Sequence, residues 1–288
     1  MSAAAARNGN LAPHRGGATN VDAMETATEI LPASTIVVAA DGALGSITLS
    51  RPDKLNPLGT MTLDELVAAA RWFDARPAIK VVIVSGSGRA FSAGADLAAF
   101  VAAADGAGAL REAADAGRRM AEAIEAMRAV TVARLHGHCV GGGVVLAAAC
   151  DLRVAAEDTR FSIPEVDLGI PLAWGGIPRL VREIGPALTK ELVMTCRPFG
   201  AAEAKAIGFL NRVVPEADLD AAVDELVGQL VNKSALTLGG TKRQVNAVTD
   251  GMVGTTRSWN DADALVTAVH DPESQASAMA YLERVSRR

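Results

Sequence analysis

Between residues 35 and 214 short apolar runs of strand character alternate with longer runs of helical period, and that alternation restricts the chain to an α/β fold. Runs at 35–38 and 44–49 flank Ala40-Asp41-Gly42 and predict a hairpin. The segment Arg51-Pro52-Asp53-Lys54-Leu55-Asn56-Pro57 breaks the pattern ahead of a helix over 62–74. Further strands are predicted over 80–85, 130–135, 152–155 and 212–214, and helices over 111–128, 144–150, 186–194 and 201–207. Met120, Ile124 and Met127 share one face of the 111–128 helix, with Arg118, Arg119 and Glu122 elsewhere. From about Asp218 the pattern is wholly helical. The expectation is a core of ββα-type units over 33–217 and a C-terminal helical region over 218–288, with no repeat visible in the sequence. Residues 1–32 lack a hydrophobic period and read as a disordered tail. Asp22, Glu25 and Glu29 argue against a transit peptide there.

The chain of 288 residues is long enough to bury a full core. A net charge of −5, no lysine-arginine block and aromatics that do not interleave with basic residues exclude a nucleic-acid binder. No apolar run approaches the roughly 18 residues of a membrane span. Cys139, Cys150 and Cys196 are widely spaced in apolar surroundings and read as reduced thiols of a cytoplasmic protein.

Two glycine-centred turns carry the chemistry. The first is Ala90-Phe91-Ser92-Ala93-Gly94-Ala95-Asp96-Leu97; the second is His136-Gly137-His138-Cys139-Val140-Gly141-Gly142-Gly143. Each ends a strand-like run and opens a helix-like one, so each can leave a backbone N–H aimed at a ligand. Two such donors on one oxygen stabilise an oxyanion, and a nearby carboxylate serves as base. Three consecutive glycines cost a helix start about 1 kcal/mol each relative to alanine. Either close approach of a ligand or a tight turn packed under another strand accounts for them. Glu165, in Ile163-Pro164-Glu165-Val166, sits among apolar residues; burial there would raise its pKa, whereas an exposed loop position would not. Gly86-Ser87-Gly88 fails as a dinucleotide fingerprint because Phe91 stands at the third glycine position. His136 and His138 lack a third metal ligand at a recognisable spacing. A Ser92–histidine pair is a hydrolase alternative outside the G-x-S-x-G context.

Taken together, these segments resemble the crotonase, or enoyl-CoA hydratase/isomerase, superfamily. The matching pieces are ITLSRPDKLN at 47–56, FSAGADL at 91–97, the GGG turn with Cys150-Asp151, and PEVDLGIP at 164–171. Trp174-Gly175-Gly176 with Arg179-Leu180, and AEAKAIGFLNRVVP at 202–215, complete the set. The resemblance implies a spiral of ββα units, a helical trimerisation region, homotrimers or hexamers, and acyl-CoA thioester substrates, with coenzyme A entering as part of the substrate and no separate cofactor. It places the two oxyanion donors at Ala95 and Gly142 and the acid/base at Glu165. Lys54, Leu55 and Ala93 would lie along the CoA, while Asp96, Gly141 and Trp174 would border the substrate. Tyr281 and Arg284 are similar to C-terminal residues that touch CoA from a neighbouring subunit.

One departure bears on mechanism. Hydratases of this family carry a second glutamate after the GGG turn, and Val145 occupies that position. A single glutamate suffices to move a proton from C2 to C4 of a 3-enoyl thioester, so double-bond isomerisation is the expected reaction. The alternatives are a hydratase that borrows another acid, such as Asp167, and a non-catalytic acyl-CoA-binding paralogue. Trp174 departs from the small-residue pattern of hydratases and is read either as core or as a wall of the acyl pocket. The Ala/Gly-rich run at 102–109 is a candidate mobile wall.

Overall fold

The computed structural model describes residues 29–96, 107–258 and 260–286. Ten strands among them form two sheets: β1 (Glu29–Leu31), β2 (Ile36–Asp41), β3 (Leu44–Leu49), β4 (Val81–Gly86), β5 (Val130–Leu135), β6 (His138–Val140), β7 (Leu152–Ala156), β8 (Arg160–Ser162), β9 (Phe199–Gly200) and β10 (Arg212–Val214). The larger sheet has the order β1-β2-β3-β4-β5-β7-β10 and the smaller β6-β8-β9. In the larger sheet β1, β2 and β3 pair antiparallel and every later neighbour is parallel. The expected 40–42 hairpin turns at Gly42 with φ +56°, and Asp41 pairs with Leu44 across it. β2 alternates buried and exposed positions as an outer strand does, whereas β5 is buried on nearly every position, as a central parallel strand must be.

The helices are α1 (Thr60–Asp74), α2 (Ala107–Ala126), α3 (Gly142–Ala149), α4 (Gly176–Thr195), α5 (Ala201–Ala206), α6 (Leu219–Val231), α7 (Ala235–Met252), α8 (Asp261–His270) and α9 (Pro272–Ser286). Leu63, Leu66 and Phe73 of α1 meet Met120 and Ile124 of α2, and Met127 just past its end, in the main core. On the other face Leu219, Val223 and Val227 of α6 cover Val81, Val132 and Val154. Both faces of the central strands are thereby removed from water.

Isolated bridges reveal a structural repeat that the sequence hides. Leu58 bridges Ala95 and Ser92 bridges Cys139, in parallel, and Cys139 pairs with Phe161. A long strand, a short second strand or single bridge, and a helix therefore recur four times: β3–Leu58–α1, β4–Ser92–α2, β5–β6–α3 and β7–β8–α4. The second-strand positions lie side by side, so whatever follows each of them in sequence is delivered to one place.

Two expectations need correction. Residues 29–31, read as part of the tail, form an edge strand paired with β2, while residues 1–28 lie outside the described residues. The helix expected over 186–194 begins at Gly176 and is kinked at Gly185, with φ +76° and ψ 165°. The 102–109 run lies outside the described residues up to 106, and 107–109 open α2.

Candidate active site

Three consecutive repeats supply the donors and the carboxylate. Ala95 follows the bridge of the second repeat, Gly142 follows β6 of the third, and Glu165 follows β8 of the fourth. The Leu58 N–H donates to the Gly94 carbonyl at 2.8 Å and the Asp96 N–H to the Leu58 carbonyl at 3.2 Å. Successive N–H groups of an extended segment point to opposite sides. The Ala95 N–H consequently faces away from Leu58, and it has no acceptor among the described residues.

The neighbouring turn fits closely against this one. A Cβ on Gly94, whose φ is +89°, would lie 2.7 Å from the Val140 carbonyl oxygen and 3.5 Å from the Gly142 nitrogen. Gly141 has φ +49° and ψ −115°, donates its N–H to the Ser162 carbonyl at 2.9 Å, and starts α3. Gly142 is the first residue of that helix; its N–H also finds no acceptor among the described residues and carries the positive end of the helix dipole. Both unpaired donors therefore stand beside the same gap.

Glu165 completes the set. The residue is half-buried, but Oε2 is shut away from solvent with no hydrogen-bond partner among the described residues. Burial pushes its carboxyl up to about 7, opposed only weakly by a backbone hydrogen bond. Oε1 stands over Gly141 so closely that a Cβ there would overlap it. Ala95, Gly142, Val145, Glu165, Leu172 and Trp174 together line a cavity of about 60 Å³. Among its described lining residues only Glu165 and Asp96 are ionisable, and Asp96 pairs with Arg51 at 3.1 Å.

The other predicted residues separate into two groups. Asp96, Gly141 and Trp174 are at or beside the cavity. Lys54 is exposed on a 3-10 turn over Pro52–Lys54, and the half-buried Leu55 accepts the Ala93 N–H at 2.8 Å. Leu55 and Ala93 thus form one edge beside the cavity rather than its lining. Buried Asn56 secures that edge by accepting the Arg51 N–H and donating to the Ser87 and Ala90 carbonyls at 2.8 and 2.9 Å. Tyr281 and Arg284 do not line the cavity: Arg284 pairs with Asp167 of its own chain at 2.5 Å and lies over the Tyr281 ring. That contact occupies Asp167, which is also absent from the lining, so its geometry does not suit a second acid.

Ser92 is structural. Its buried hydroxyl donates to the Asn56 carbonyl and accepts the Gly94 N–H, while the His136 ring bonds to Arg134 and the Gly88 carbonyl. Among the described residues no cluster of three or more histidine, cysteine or acidic side chains is placed to hold a metal.

No local sequence mark points to Leu265, which reaches the cavity from α8, or to Asp261, whose carboxylate accepts the Gly175 N–H at 2.8 Å. Trp174, at φ +62°, and Gly175, at +66°, are both left-handed. For tryptophan that conformation costs about 1–2 kcal/mol.

Comparisons with known proteins give the chain its relatives. The family model described as Enoyl-CoA hydratase/isomerase matches residues 39–287. A probable enoyl-CoA hydratase of Mycobacterium bovis is 35% identical over 256 residues, covering 87% of this chain and 95% of the relative. A peroxisomal Delta(3,5)-Delta(2,4)-dienoyl-CoA isomerase of Arabidopsis thaliana is 34% identical over 213 residues, 70% of this chain and 77% of the relative. The crystal structure of a putative enoyl-CoA hydratase from Thermobifida fusca in complex with acetoacetyl-CoA superposes with a TM-score of 0.69 at 28% identity, covering 80% and 93% of the two chains. The four ββα repeats and the helical C-terminal region are the crotonase architecture. A family model that matches nearly the whole chain, and a relative 35% identical over 87% of it, leave one assignment: the chain belongs to the enoyl-CoA hydratase/isomerase family.

Proposed function

We propose that the chain is an acyl-CoA isomerase that shifts a double bond from C3 to C2 with Glu165 as its single acid/base. The observation that carries this reading is Val145. It is 1% exposed and lines the cavity where a hydratase of this family holds its second glutamate. Glu165 removes a proton from C2 of a 3-enoyl-CoA, and the electron pair passes into a dienolate. The Ala95 and Gly142 N–H groups hold its oxygen, each worth roughly 3–4 kcal/mol by analogy with deletions of oxyanion-hole donors. The same proton returns at C4, giving the 2-enoyl thioester and ionised Glu165.

The acyl-CoA substrate class is supported by the acetoacetyl-CoA complex of the Thermobifida fusca neighbour. CoA would run along Lys54, Leu55 and Ala93, with Tyr281 and Arg284 reaching a neighbouring subunit's CoA in a homotrimer or hexamer. The reaction needs no further cofactor, and the protein would work in the cytoplasm. Among the described residues no helix is long and apolar enough to cross a membrane. A second reading, hydration of a 2-enoyl-CoA, is favoured by the name of the Mycobacterium bovis relative. It requires an acid that Val145 cannot supply. Removing one acid–base partner lowers a rate by about 10²–10⁴-fold.

NMR of a 3-enoyl-CoA and a 2-enoyl-CoA, each incubated with the protein in D₂O, separates the readings. Migration of the double bond in the first, with no 3-hydroxyacyl product from the second, is the expected result. A 3-hydroxyacyl product would establish hydration instead. Binding with neither product nor deuterium uptake would mark a non-catalytic acyl-CoA binder. The kcat/KM of the isomerisation should also rise with pH and reach half its maximum near the pKa of about 7, since only ionised Glu165 accepts the C2 proton. A profile flat between pH 5 and pH 8 would contradict this assignment of the base.

A further inference from the structure

Trp174 is held in its left-handed turn by two separate anchors. Arg179, 1% exposed, donates Nη1 to the Gly175 carbonyl at 3.1 Å and the Trp174 carbonyl at 3.4 Å, while its Nη2 binds Glu125 at 2.5 Å. From α8, Asp261 accepts the Gly175 N–H at 2.8 Å. The turn is thereby tied to α2, through Glu125, and to the C-terminal helices.

The indole is received by two glycines. A Cβ on Gly117 of α2, or on Gly142 at the start of α3, would overlap the ring. Neither glycine has a left-handed φ, so their own backbones do not call for glycine. The ring does. Gly142 supplies one of the two oxyanion donors, so the indole lies against the point where a thioester would be held. With Val145 and Leu172 it closes the cavity on an apolar side. A cavity of about 60 Å³ has room for roughly four or five water-sized groups.

On the acyl-CoA reading given above, we infer that Trp174 sets the size of the acyl group: its indole is a fixed wall that limits the enzyme to short, unbranched chains. Arg179 and Asp261 are the positioning residues that keep the wall in place.

The test is the rate of C2-hydrogen exchange in D₂O for 3-enoyl-CoA thioesters from 3-butenoyl to 3-decenoyl, with 5-methyl-3-hexenoyl-CoA as the branched case. The full-length protein is compared with Trp174→Ala, Trp174→Phe and Gly117→Ala, with melting temperatures taken alongside. The 3-butenoyl-to-3-decenoyl ratio of kcat/KM should fall by about tenfold or more in Trp174→Ala and by less in Trp174→Phe, the size expected when methylenes gain a place to bind. Gly117→Ala should move it the other way, because the added methyl drives the ring towards the cavity. Should Trp174→Ala fail to fold, the phenylalanine and Gly117→Ala variants still carry the opposing shifts. Folded variants whose ratio stays within about twofold of wild type would overturn the role of Trp174 alone, since a lost wall changes discrimination by more than that. Absence of exchange in the wild type at every chain length would overturn the enolate reading, and this inference with it.

Discussion

Glu165→Gln is expected to lower the isomerisation rate by about 10²–10⁴-fold, the usual effect of removing the group that moves the proton. It should do so while the stability balance swings towards the variant as pH rises to neutrality. The same burial causes both effects. Oε2 has no hydrogen-bond partner among the described residues, and desolvation lifts the carboxyl from an ordinary 4.5 to about 7. Below pH 4.5 the group is protonated in both folded and unfolded chains, so it contributes no pH-dependent difference. Between pH 4.5 and 7 the unfolded chain releases its proton and the folded chain retains it, so wild-type stability falls as pH rises. Above pH 7 the penalty is complete, at most about 3 kcal/mol for a shift of this size. Glutamine does not ionise and escapes this penalty, although its buried amide also lacks partners and returns about 1–3 kcal/mol of the gain. Denaturant unfolding of both proteins from pH 4 to pH 9 is the measurement. The stability difference should swing towards the variant as pH rises through this window. A constant difference, with the rate lost, would show that Glu165 ionises freely and that its pKa is not tuned by burial.

The strands at 44–49, 130–135 and 212–214 were legible because each is a short apolar run bounded by turn residues. The smaller sheet was not. Its strands are two or three residues long, and a run of that length carries no period to detect. The fourfold repeat escaped notice for the same reason, since two of its second strands are reduced to single bridges at Leu58 and Ser92. The first half of α4 was missed because Gly175, Gly176 and Pro178 read as loop residues, whereas Pro178 falls in the first turn, where its missing N–H has no intrahelical partner to lose.

At the site, Ala95, Gly142 and Glu165 could be singled out because glycine turns and a carboxylate in an apolar neighbourhood leave local marks. Trp174 left an ambiguous one. Its partners Gly117 and Gly142 lie 57 and 32 residues earlier in the chain, and nothing in a one-dimensional pattern links a helix-interior glycine to a distant indole. Asp167 shows the converse failure. Its proximity in sequence to Glu165 made it a candidate acid, yet its carboxylate is taken by Arg284, 117 residues away.

Gly141→Ala tests whether the carboxylate and the donor turn form one unit. Gly141 combines φ +49° with ψ −115°, a backbone region that essentially only glycine occupies, so alanine is strained by about 1–3 kcal/mol before any contact is considered. Its methyl would also overlap Oε1 of Glu165. Relief requires either that the carboxylate leave its buried position or that the turn rotate, which would swing the Gly142 N–H off the oxyanion. Either movement disables half of the machinery, and a loss of about 10²–10⁴-fold in kcat is expected. The pH profile separates the two. Displacement of Glu165 towards solvent would let its pKa fall back towards 4.5, so residual activity would reach its plateau at lower pH than wild type. Rotation of the turn would leave the midpoint near 7 and weaken the oxyanion hole alone. Gly143→Ala is the control: Gly143 has no left-handed φ, and its added methyl would meet Ser92 at 3.0 Å instead of the glutamate. It should destabilise packing without moving the pH midpoint. If Gly141→Ala retained both wild-type rate and wild-type profile, the close packing of Glu165 on this turn would be refuted, and with it the coupling of base and donor through a single glycine.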